Sequence, residues 1–243
     1  MKKVLTYLIS LILLILIVVL AILSTIGIET DKFNQLVSEK ATSTKNINLE
    51  LSTIKFKLDL KTFSLFLETQ NPIINYRKIY IPVENIKVYL DFWSLFDSKL
   101  KINKSNLILK ELDITELNKI SKILKPSNFK SLLNNKVKKG KLISEIEIYL
   151  NDDGSLQNFI TRGKVKKLDA ILIDNLNLTN ANFSFFADKT DILFKNIYGN
   201  IESINFYDGD LRLNLENGIK LNSNFNTEIN FDEKLFSSIK PFK

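Results

Sequence analysis

The chain has 243 residues and a formal net charge of +7, with 45% hydrophobic and 25% charged residues. It contains no histidine and no cysteine, which removes the usual general base, the usual zinc ligands, every histidine-dependent triad and any disulfide framework. With only 7 glycines and 4 prolines, the composition is neither collagen-like nor that of a disordered chain.

The first predicted element is an uncharged transmembrane run from Val4 through Leu14 to Ile28, preceded by Lys2 and Lys3 and followed by Glu29 and Asp31. As a helix rising roughly 1.5 Å per residue it spans a hydrocarbon core of about 30 Å. Lys2 and Lys3 set the expected topology, with the N-terminus cytoplasmic and the rest of the chain beyond the membrane. A cleaved signal peptide would have an apolar core of about 7–15 residues and a small-residue cleavage site. The run here is longer, and Thr25-Ile26-Gly27 is a poor site. A retained single-pass anchor is the expectation. A buried soluble helix is disfavoured because nothing amphipathic breaks the run.

The expected organisation is an anchor over 1–28, a juxtamembrane helix and linker over 29–45, a first β-sheet segment over 46–114, a helical insertion over 115–137 and a second β-sheet segment over 138–243. In the linker, Phe33, Leu36 and Val37 share one helical face and Asp31 is placed to cap it. Period-two alternation then takes over. Ile47, Leu49 and Leu51 alternate with polar residues, and Ile54, Phe56, Leu58 and Leu60 alternate with Lys55, Lys57, Asp59 and Lys61. Such segments are half-buried strands.

Pro72 and Pro82 bracket a predicted short strand over 76–81. Strands follow at 86–92, at Leu100-x-Ile102 and at Leu107-x-Leu109. The pattern turns helical at 115–124, with Leu117, Ile120 and Leu124 on the apolar face, Thr115 as the expected cap and Pro126 as the stop. A second short helix is predicted from Ser127 to about Asn135, then a basic link over 136–141. Strands resume at Ile146, Ile148 and Leu150 and continue to Phe231, with turn signals at 151–154, 187–190, Asp208-Gly209 and Asn217-Gly218.

Outside Lys2 and Lys3 the positive charge is spread as isolated lysines between apolar residues, the pattern of a solvated strand face or of attraction to an anionic membrane surface. Arginine occurs only at 77, 162 and 212, too sparse for a nucleic-acid site, so no nucleic-acid partner is expected. There is no Gly-rich phosphate loop, no metal-ligand cluster and no nucleophile elbow. No cofactor, no metal and no catalytic residue is expected.

From Pro82 the run PVENIKVYLDFWSLFDSKLKINKSNLILKELDI carries a recognisable order: an alternating strand, a Leu-Asp-Phe-Trp-Ser-Leu-Phe segment, Lys-Leu-Lys-Ile, and a further alternating strand. With the single anchor before it, this resembles the N-terminal region of the AsmA family, with Leu90, Phe92, Leu95, Phe96, Leu100 and Ile102 at the family's apolar positions. The resemblance runs from Met1 to about Ile114. The chain departs from the family at Ala41-Thr-Ser-Thr44, where Thr-Gly is common, and in being short, so a short member or a fragment is implied.

The resemblance implies an elongated, curled antiparallel β-sheet in the periplasm of a double-membraned bacterium, anchored in the inner membrane. Its apolar groove would guide phospholipid acyl chains in support of outer-membrane lipid homeostasis. Phospholipid, the inner membrane and other envelope proteins are the implied partners. Alternation places Ile146 and Ile148, Phe183 and Phe185, Ile192 and Phe194, and Leu211, Leu213 and Leu215 on shared strand faces, and these are the candidate groove residues. The alternative is a non-enzymatic envelope assembly factor in which the same side chains form an ordinary β-sandwich core. An enzyme ranks below both.

Overall fold

The computed structural model describes residues 2–30, 47–51, 53–62, 64–91, 101–122, 128–172, 176–216, 218 and 220–229. The chain is mostly β, 63% strand, with one large open antiparallel sheet, few short helices and an N-terminal apolar helix.

That helix, α1 (Lys2–Thr25), holds a 23-residue apolar span, Lys3–Thr25, with an 18-residue window of mean hydropathy 3.2, none of that window buried. At roughly 1.5 Å per residue it is about 35 Å long, enough for one crossing. It stops at Gly27, whose φ of 78° is left-handed and whose N–H donates to the Ile22 carbonyl at 2.9 Å, a helix ending that favours glycine. Any side chain here would also meet Lys57 Cγ at 2.7 Å. Ile28, expected inside the span, instead opens β1 (Ile28–Thr30) and pairs with Phe56 of β3 (Ile54–Asp59). Hydropathy cannot separate the two roles, because an isoleucine suits lipid and a cross-strand aromatic equally well. The sheet therefore begins three residues past the helix. The helix expected over residues 31–40 lies outside the described residues.

The remaining strands are β2 (Ile47–Glu50), β4 (Ser64–Gln70), β5 (Ile73–Tyr76), β6 (Ile79–Leu90), β7 (Ile102–Leu109), β8 (Leu112–Asp113), β9 (Val137–Leu150), β10 (Leu156–Ile171), β11 (Asn177–Ala187), β12 (Asp191–Ile201), β13 (Ile204–Asn214) and β14 (Lys220–Ile229). Their hydrogen-bonded order is β1-β3-β4-β6-β7-β9-β10-β11-β12-β13-β14, with β2 on β5, β5 on β6 and β8 on β9 beside that path. From β9 on, every strand pairs with its sequence neighbour.

Contacts divide the chain into two units, Met1–Asn75 with Val83–Leu107 and Ile148–Gln157, and Tyr76–Pro82 with Ile108–Glu147 and Asn158–Lys243. In the first, Ile54, Leu67 and Leu90 form a buried cluster flanked by Leu51, Phe56 and Val88. β4 is its centre, since Leu65 to Thr69 are all buried. On the opposite face of β4, Phe66 stacks on Tyr89 at 5.2 Å, and the buried Glu68 binds Lys57 at 2.6 Å and Asn85 at 2.9 Å, with Lys87 at 3.8 Å.

Burial alone would push the Glu68 carboxyl up. The hydrogen bonds from Lys57 and Asn85 and the two lysine charges outweigh it and hold the group below the usual carboxylate range. The stabilisation is therefore complete above the unfolded-state value near 4.3 and is lost as pH falls through the lower folded value. Glu68→Gln should lower stability at pH 7 by about 1–3 kcal/mol. Thermal melts should show the gap between variant and wild type closing towards pH 3. An equal gap at both pH values would refute this.

Several local expectations are corrected. The segment 76–81 is a hairpin, with Arg77 and Lys78 at φ 50° and 65° joining β5 to β6 and Pro82 inside β6. Two left-handed residues match the twist of the flanking strands, but Arg-Lys carries no sequence signal for it. Ile102 and Leu109 belong to one strand, β7. Phe92, Leu95, Phe96 and Leu100 lie outside the described residues.

The insertion folds as α2 (Ile114–Ser121) and α3 (Asn128–Lys136). Asp113, not Thr115, caps α2. Its carboxylate accepts the Glu116 N–H at 2.9 Å while Glu116 accepts the Asp113 N–H at 3.0 Å, a reciprocal box that a threonine two residues later cannot make. Leu117 and Ile120 are only half-buried and Leu124 is outside the described residues. The buried residue of α2 is Ser121, whose hydroxyl donates to the Asn118 carbonyl at 2.8 Å. The basic link is strand from Val137 on, with Lys139 near Asp169 and Lys141 on Glu111.

Candidate functional site

The candidate site is one face of the sheet in the second unit, from β10 to β14. Residues opposite one another in an antiparallel pair share a face, so the registers define it row by row. One row is Thr161, Ala187, Ile192, Leu213 and Leu221. The next is Gly163, Phe185, Phe194, Leu211 and Ser223. Val165 opposes Phe183, Leu168 opposes Ala181, and Ile197 opposes Gly209. The far row is Ala170, Leu178, Ile201, Ile204 and Ile229. No charged residue stands in any of these rows.

Charge is on the other side. Arg162, Phe186, Leu193, Arg212 and Asn222 form one row there. Arg162 makes a two-pronged bond to Glu145 at 2.9 Å and reaches Glu147 at 3.0 Å. Arg212 binds Asp191 at 3.1 Å, and this contact first, then Asn214, holds the Asp191 carboxyl below its usual range.

Of the expected groove residues, Phe183, Phe185, Ile192, Phe194, Leu211 and Leu213 come together on the uncharged face, and all six are half-buried. Phe183 meets Phe194 edge to face at 5.5 Å, and Phe206 meets Phe225 likewise at 6.0 Å, the geometry that aromatic pairs prefer. Alternation in β9 puts Ile146 and Ile148 on the side away from Glu145 and Glu147. Ile148 belongs to the first unit. Leu215 lies past the end of β13, 39% exposed, with its N–H on the Thr190 carbonyl. The expected continuation of that strand to 215 is corrected to a loop residue.

Two features of this face carry no hydropathy signal. Three glycines lie beneath phenylalanine rings: Gly163 under Phe185, Gly199 under Phe206 and Gly209 under Phe225. The missing Cβ lets each ring lie along the sheet and cover bare backbone, a known remedy for a strand glycine.

The second feature is a line of β-bulges. β10, β11, β12 and β13 each carry one, at Lys167, Asn180, Asn196 and Asp208, all with φ between 50° and 53°. A bulge leaves a backbone N–H unpaired and bends the strand. Here a side chain on the neighbouring strand takes that N–H: Asn182 Oδ1 from Lys167 at 3.0 Å, Asp169 Oδ1 from Asn180 at 2.9 Å, and Asp210 Oδ1 from Asn196 at 3.4 Å. Tyr198 closes the set by donating to Asp208 at 2.6 Å. In each strand the side chain used stands two positions after the bulge. Of these bulge-x-Asx pairs, Asn180/Asn182 and Asp208/Asp210 stand in the sequence as short-spaced Asn and Asp, whereas Lys167/Asp169 does not. Asp208-Gly209, expected as a turn, is one of these bulges.

Among the described residues no group of three His, Cys, Asp or Glu side chains could hold a metal. No protein-family model matches this chain, and no curated protein or solved structure matches it either.

Proposed function

We propose that this is a membrane-anchored lipid-binding protein of the AsmA kind, with the uncharged face of β10–β14 as the surface that takes phospholipid acyl chains. The observation that carries the reading is a five-stranded face without a charge whose six central side chains stop at half burial. A monomeric soluble domain rarely leaves so wide an apolar surface uncovered. The α1 span supports anchoring, and the lysine pair before it supports an inner-membrane orientation with the sheet in the periplasm. The role is conduction or storage of lipid between membranes, without chemistry on the lipid.

Native mass spectrometry of the detergent-extracted full chain tests this. Phospholipid is expected to co-purify at near-stoichiometric ratio. Protein released from the micelle free of lipid would overturn the proposal and favour a non-enzymatic assembly factor.

A further inference from the structure

Among the described strands, β14, Lys220–Ile229, stands at one end of the sheet's strand order. It pairs with β13 alone among the described strands, and all ten of its residues are exposed. A strand edge offers a row of unpaired N–H and C=O groups, and proteins usually guard it with proline, interior lysine or a bulge. β14 has no proline and no bulge, and its one lysine, Lys220, stands at its first position. Leu221 to Thr227 reads LNSNFNT, seven residues without a charge or a proline, and the register shift against β13 falls on the β13 side.

The only two charges on the strand are Lys220 and Glu228, opposite in sign and each four residues from Asn224. We infer that two copies of this chain pair edge to edge along β14, antiparallel, about a two-fold axis through Asn224. In that register Lys220 of one copy lies opposite Glu228 of the other, twice per dimer. Asn222 lies opposite Asn226 and Asn224 opposite itself, giving a line of side-chain amides on one face. On the other face Leu221 lies opposite Thr227 and Ser223 opposite Phe225. Opposed residues share a face, so the uncharged surface of one copy continues into that of the next. A foreign strand would have no reason to match charges placed symmetrically about the strand's own centre. The pairing stands whatever occupies the apolar face.

The test uses the full chain in detergent, by sedimentation. The wild type should dimerise reversibly. Lys220→Glu and Glu228→Lys each place like charges opposite one another twice, and each should raise the dissociation constant roughly tenfold. The double variant Lys220→Glu/Glu228→Lys restores opposite charges and should return it to the wild-type value. Both positions are exposed, so folding is not at stake. Because the chain lacks cysteine, Asn224→Cys adds a second readout. A residue opposite itself sits within disulfide reach, so mild oxidation should give a covalent dimer, whereas Asn226→Cys should give little. A monomeric wild type, single charge variants that dimerise as well as wild type, or a double variant no better than the singles would each overturn the inference.

Discussion

Gly163→Ala is expected to destabilise the second unit by about 2–4 kcal/mol, because the added carbon has nowhere to go. It would collide with the backbone carbonyl oxygen of Ile143 and sit 2.8 Å from the Phe185 ring. A ring can rotate, but a carbonyl in a neighbouring strand moves only if the strands part. For a chain of this size the shift corresponds to a fall in midpoint of about 5–12 °C. Gly209→Ala is the internal comparison. Its added carbon meets the Phe225 ring, on an exposed edge strand, with the Ile197 side chain next at 3.1 Å, so it should cost about 1 kcal/mol. Calorimetry of the two variants measures the contrast. Equal costs would mean that the β9–β10 approach is soft and that Gly163 is not needed there.

Alternation carried most of the fold. The strands around Phe56, Leu67, Phe185 and Leu213 were legible because one face is apolar and the other wet, and a one-residue slip would invert them. The ends of elements were not legible where the deciding contact is distant. Ile28 leaves the helix because Phe56 is there to pair with it. Arg77-Lys78 turns because the strands on either side pair, since neither residue favours a left-handed conformation. Asp208-Gly209 is a hairpin signal of the same kind as Asn217-Gly218, yet it lies within β13. Asp210 takes the Asn196 N–H and Phe225 covers Gly209, and both partners lie on other strands.

The candidate face was legible as a set of residues but not as a surface. Periodicity groups Phe183 with Phe185 and Ile192 with Phe194. Only the register shows that Phe185, Phe194 and Leu211 stand in one row and that Leu215 has left it. The bulges add a displacement that alternation cannot see. Each shifts one strand by a residue against its neighbour, and because each shift on one strand is followed by one on the next, the apolar row resumes in phase on the far side. That is why Ile197 and Gly199 share a face with Ile192 and Phe194 although their numbers differ in parity.

Leu213→Asp separates the two uses of this face. Leu213 stands between Ile192 and Leu221 in its row, half-buried, with Leu221 58% exposed. In a closed core, a carboxylate there would be buried without a partner, which costs several kcal/mol and unfolds the domain. On an open face it keeps water on one side, so the variant should fold, with a midpoint within about 5 °C of wild type. If this face takes acyl chains as proposed, the charge would lie among them, and co-purified phospholipid should fall about tenfold, since transfer of methylenes to that site is worth less beside a hydrated carboxylate. Leu193→Asp is the control. Leu193 is also half-buried and on the neighbouring strand, but it stands on the opposite face beside Arg212, so it should leave lipid content unchanged. Circular dichroism and lipid quantification on both variants decide the matter. If Leu213→Asp unfolds while Leu193→Asp does not, the face is a packed core; if both fold and both keep their lipid, the lipid is held elsewhere.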